Sequence, residues 1–91
     1  MDIKLADLTI QPGWTAESQL IKIEEEANEV REALARGDIV NVIRESLDAM
    51  QTYKTLIQIY DEYFDGRLDI DKFLREHREK LVRKGYMGVD L

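Results

Sequence analysis

The residues best suited to chemistry are carboxylates: Glu24, Glu25, Glu26, Glu29 and Glu32 fall within nine positions, and Glu45 and Asp48 follow. Clustered carboxylates can hold a hard cation through oxygen or act as general bases. With Leu20 placed at 0° and about 100° per residue, an apolar stripe occupies about 280° to 360°, Glu26 lies near 240° and Glu29 near about 180°. Glu26 therefore borders the core. Gln19 and Lys22 fall on the same polar strip, whereas Glu25 lies further round, one turn from Glu29. In the next helical stretch Glu45 and Asp48 form a second i, i+3 pair, about 60° apart. Antiparallel packing would let the two pairs, Glu26 with Glu29 and Glu45 with Asp48, face each other across a groove. Unneutralised, four such groups repel and resist joint ionisation, and a divalent cation removes that penalty. Oxygen-only donors favour Mg²⁺, with Mn²⁺ as the alternative, over zinc. A Glu-rich run alone also suits a solvated helix surface. The matching pair on a neighbouring helix shifts the reading towards a site.

The elements that must position these groups are helices. Thr15 is a suitable N-cap, and Leu20, Ile23, Ala27, Val30 and Leu34 recur in steps of 3 and 4. Arg36-Gly37-Asp38 combines a helix-ending glycine with an N-cap. A second helix is expected over about Ile39 to Phe64, with Ile39, Ile43, Leu47, Met50, Tyr53, Ile57, Tyr60 and Phe64 on one apolar side, either continuous or broken partway. Asp65-Gly66 marks a turn, and a third helix is expected over about Asp69 to Lys84, with His77 on its apolar side. The class is all-α, three helices per chain, completed by oligomerisation into a four-helix-type core. Residues 1–14 read as an N-terminal arm, 15–86 as the helical domain and 87–91 as a C-terminal tail.

The chain of 91 residues carries 13 Lys and Arg against 19 Asp and Glu, a net charge of −6. Residues 1–66 hold 6 basic and 14 acidic side chains, while residues 67–86 hold 7 basic and 4 acidic. Such an acidic body opposes gripping a long nucleic acid or an anionic membrane. The absence of cysteine removes disulfides, thiolate metal sites and thiol nucleophiles, and one histidine removes most imidazole chemistry. No apolar run suits a membrane span or signal peptide, so a cytoplasmic protein is expected. Asp61 to Lys72 mimics a calcium loop but has Tyr63 at its third position and Lys72 where a bidentate Glu is required.

Glu25-Glu26-Ala27-Asn28-Glu29 and, 15 residues on, Glu45-Ser46-Leu47-Asp48 resemble the EExxE and ExxD signature of the MazG-like all-α nucleoside triphosphate pyrophosphohydrolases. Gln19 and Lys22 upstream, and Lys80-Leu81-Val82-Arg83-Lys84-Gly85-Tyr86 downstream, extend the likeness over residues 15–86. The resemblance implies Mg²⁺-dependent cleavage of an NTP or dNTP between its α- and β-phosphates, giving the monophosphate and pyrophosphate, in a house-cleaning or regulatory role. By the same resemblance Glu26, Glu29, Glu45 and Asp48 would ligate the metal, and Glu25 would be a further ligand or the group that orients or deprotonates water. Lys80, Arg83 and Lys84, with Lys22, would then hold phosphates, and Gln19 and Trp14 are candidates for contacting a base. A homodimer or homotetramer is also implied. Two alternatives stand beside this reading: a phosphoribosyl-ATP pyrophosphohydrolase, and a non-catalytic acidic helical interaction module.

Overall fold

The structure is a computed structural model, and it describes residues 1–88. The expected tail at 87–91 therefore lies partly, at residues 89–91, outside the described residues. The chain is all-α, with α1 at Ala16–Ala35, α2 at Ile39–Tyr63 and α3 at Ile70–Arg83, and no strand among the described residues. α2 is continuous, so the long apolar pattern is one helix rather than two. Residues 1–11 form neither helix nor strand.

Local chemistry sets the boundaries. Thr15 caps α1 through a reciprocal box with Ser18: the Ser18 N–H donates to Thr15 Oγ1 and the Thr15 N–H donates to Ser18 Oγ. Gly37 takes the left-handed backbone, φ +68°, that ends α1. Asp38 then caps α2, accepting from the Asn41 N–H. Asp69 does the same for α3 through the Lys72 N–H. Three chain-reversal and capping expectations are thus met by the residues that motivated them.

Among the described residues, only α1 and α2 pack against each other. The side of α1 that is covered centres on Gln19, Ile23, Val30 and Ala33, with Glu26 half-buried between them. This face is turned roughly 50° from the expected stripe, leaving Leu20 52% and Leu34 67% exposed. The reason is width: one neighbouring helix cannot cover the whole apolar arc, and α2 lies on the flank that carries the carboxylates. On α2 the covered side runs through Glu45, Ala49, Thr52 and Leu56, while of the expected stripe Met50 is half-buried and the rest, Ile43, Tyr53, Ile57 and Tyr60 included, is exposed. α3 buries no residue, and an open cleft of about 520 Å³ separates its Phe73, Leu74 and His77 from Ile57 and Tyr60 of α2.

The N-terminal arm lies along α2. Gln51 pairs with the backbone of Ala6, accepting its N–H at 3.1 Å and donating to its carbonyl at 3.0 Å. Gln58 pairs in the same way with Leu8. Lys54, between them, donates to the Leu5 carbonyl at 2.7 Å and meets the Asp7 carboxylate at 2.9 Å.

Candidate metal centre

Register brings the acids together. The Gln19 side-chain amide donates to the Thr52 carbonyl at 2.9 Å, fixing residue 19 of α1 opposite residue 52 of α2. Two turns further along α1 is Glu26, and two turns back along α2 is Glu45. In an antiparallel pair these positions also oppose each other. Carboxylate oxygens of Glu26, Glu29 and Glu45 accordingly lie within 4.8 Å of one another, enough for all three to reach one cation.

This arrangement is electrostatically costly without a counterion. The Glu26 carboxyl is held above its ordinary value first by burial, then by the charge and hydrogen-bonding contact of Glu29 and by the charge of Asp48, with Lys22 opposing. The Glu45 carboxyl is raised first by its hydrogen-bonding contact with Glu29, then by burial and by the charges of Glu29, Asp48 and Glu26. Carboxylate-to-carboxylate contacts become hydrogen bonds only when one partner is protonated. In the ionised state Glu26 Oε2 and Glu45 Oε2 are buried and receive no donor. Two orphaned buried oxygens, aimed together with a third carboxylate, fit a hard cation in both chemistry and spacing.

The other expected site residues fall into three groups. Asp48 is near enough to act on Glu26 and Glu45 as a charge, yet stands outside the 4.8 Å trio. Glu25 is exposed and also outside it. Lys22, Gln19 and Trp14 come together with Glu26 in one cleft of about 350 Å³, closed on its arm side by Leu8 and Trp14. Lys80, Arg83 and Lys84 are exposed at the C-terminal end of α3, which packs against neither α1 nor α2. A single chain therefore does not bring them to the carboxylates.

Sequence reasoning missed the α2 contribution to this cleft, namely Gln51, Thr52 and Thr55. Thr55 and Gln51 are one turn apart and bonded to each other. A row of polar residues at 51, 54, 55 and 58 inside an apolar helix was the signal, and it lacked a visible partner because the arm has no periodicity of its own.

No family model, curated protein or solved structure matches the chain.

Proposed function

We propose that the protein is a Mg²⁺-dependent nucleotide pyrophosphohydrolase that splits an NTP or dNTP between its α- and β-phosphates, releasing the monophosphate and pyrophosphate. One observation carries this reading: three carboxylates from two antiparallel helices converge within 4.8 Å, with Glu26 Oε2 and Glu45 Oε2 buried and without donors. Glu26, Glu29 and Glu45 would hold the ion, and Asp48 would join them as the fourth ligand suggested by the sequence motif. Bound there, Mg²⁺ supplies charge neutralisation for phosphate oxygens and a template for in-line attack.

The remaining chemistry belongs to the chain. Glu25, exposed one turn from Glu29, is free to accept a proton from an attacking water or to orient it. Lys22, in the cleft beside Glu26, holds a phosphate by point charge. Lys80, Arg83 and Lys84 would reach the substrate only from a second copy, or after α3 moves. A homodimer or homotetramer is part of the proposal, since the exposed apolar sides of α1, α2 and α3 need cover.

The test is pyrophosphate release from a panel of NTPs, dNTPs and phosphoribosyl-ATP with Mg²⁺, wild type against Glu26→Gln. Turnover of a nucleoside triphosphate that the substitution abolishes supports the reading. Turnover of phosphoribosyl-ATP alone would replace the substrate. Absence of any turnover, with no effect of Mg²⁺ on melting, would leave the acidic interaction module standing.

A further inference from the structure

The cleft that adjoins the carboxylates has a wall whose hydrogen-bonding capacity can be accounted for group by group. Gln19 is only 7% exposed and lines it. Its amide orientation is settled by chemistry: the Thr52 carbonyl can only accept, so Nε2 must face it. Oε1 is then the opposite end of a buried amide, and no described residue donates to it. The hydroxyl protons around the cleft are committed elsewhere, Ser18 to the Thr15 carbonyl, Thr52 to the Ala49 carbonyl and Thr55 to the Gln51 carbonyl. The Gln51 amide is engaged at both ends by Ala6. The uncharged wall therefore offers mainly lone pairs, with the second Nε2 proton of Gln19 and the Trp14 indole N–H as the exceptions. Trp14 and Leu8 supply an aromatic face and an apolar one. Glu26 belongs both to this cleft and to the carboxylate trio. A ring seated against Trp14 would thus carry its substituent towards the acids.

We infer that this cleft is a pocket for an aromatic heterocycle bearing an N–H donor on its edge, with Gln19 Oε1 as the specificity-determining acceptor. The identification of the ring as a nucleobase rests on the nucleotide reading above; the selection itself needs only the cleft. A ring seated against Trp14 takes water away from Oε1, so one that offers a lone pair there leaves two acceptors facing each other, and one without the donor leaves Oε1 unpaired. A donor beside an acceptor would engage both ends of the amide, the donor being the required half.

Trp14 is the only tryptophan in the chain, so its fluorescence reports occupancy. The full chain, in EDTA, is titrated with AMP and CMP and with purine riboside 5′-monophosphate and zebularine 5′-monophosphate, the same rings lacking the amino group. The amino compounds should bind at least about tenfold more tightly, and Gln19→Leu, checked for helicity by circular dichroism, should erase the difference. Equal affinity within both pairs, or no binding by any of the four, overturns the proposal, and the wild-type comparison does not depend on the variant folding. Melting with and without Mg²⁺ is measured on the same protein. A ring preference without a metal response would sink the metal reading and keep this one, and the reverse result would do the opposite.

Discussion

Glu29 is the group that both strained carboxyls share, since its contact raises Glu26 and Glu45 together. The consequence for stability has a definite sign. A carboxyl whose folded-state value lies above its ordinary 4.5 binds its proton more tightly folded than unfolded, so its stabilising contribution is complete below 4.5 and is lost as pH rises through the raised value. Metal-free protein should therefore lose melting temperature as pH climbs from about 4.5 towards neutrality, and Glu45→Gln should flatten that fall. Millimolar Mg²⁺ should restore stability at pH 7 and do little at pH 4, where protonated carboxyls do not ligate. Differential scanning fluorimetry in EDTA and in Mg²⁺ across this range checks both statements, and a pH-independent curve would contradict them. Glu25 belongs to a different experiment, because it stands outside the converged trio. Glu25→Gln should keep the full Mg²⁺-dependent rise in melting temperature while lowering turnover by about 10²-fold or more, as expected for loss of a positioned base. A lost Mg²⁺ response would instead make it a ligand.

At the level of elements, caps were the most legible feature of the sequence, because a cap is a local bargain between one side chain and the next few N–H groups. Thr15, Gly37 and Asp38 each act where their types and positions predict, and Asp69, expected as the first residue of the third helix, is its N-cap. Removing the Thr15 hydroxyl should accordingly cost about 1 kcal/mol, seen as a lower urea midpoint for Thr15→Ala with an unchanged slope. The acidic pairs were also legible as pairs, since i, i+3 spacing fixes a shared face. Which flank of α1 meets α2 was not, because Leu20, Ile23, Ala27, Val30 and Leu34 form an arc wider than one helix covers, and only the cross-helix Gln19–Thr52 bond fixes the rotation. The arm was illegible for another reason. Gln51 and Gln58 hold the arm by its backbone, and the one side-chain pair described, Asp7 with Lys54, makes no pattern in positions 5–8 that announces the contact. A segment held by so few contacts, and mostly exposed, should open well below the global unfolding free energy. In the double variant Gln51→Ala, Gln58→Ala, hydrogen exchange at the Ala6 and Leu8 amides should become fast and Trp14 emission should shift to the red, with helicity at 222 nm unchanged. Retained protection at both amides would show that Lys54 alone secures the arm.

For the whole molecule the decisive quantity is how little one chain encloses. Its radius of gyration is 15.6 Å, against about 12 Å for a compact chain of this length, and it spreads over 40 × 40 × 19 Å. Ile23 and Ala33 are the only buried apolar residues among the described ones, and only Ala33 is wholly enclosed. Ile43, Tyr53, Ile57 and Tyr60 of α2, Leu20 and Leu34 of α1, and Phe73 and Leu74 of α3 all face outward. That much aliphatic and aromatic surface, on helices already ordered by their caps, exceeds what a monomer leaves exposed by chance. A second copy would supply matching apolar surface, and its basic α3 would complement the acidic body formed by residues 1–66. Two α1–α2 hairpins joined through these faces would make the four-helix core proposed above, and would leave the Glu26–Glu29–Glu45 cluster on a different flank of α1. Sedimentation equilibrium should therefore find a dimer or tetramer, with a melting temperature that rises with protein concentration. Ile43→Glu with Ile57→Glu places charge in the middle of the proposed seam and should give a monomer that is destabilised or molten. The conservative control, Ile43→Val with Ile57→Val, should remain assembled. A stable, cooperative monomer for the wild-type chain would mean that α3 folds back onto α2 in solution and closes the cleft lined by Tyr60, Phe73 and Leu74 from within.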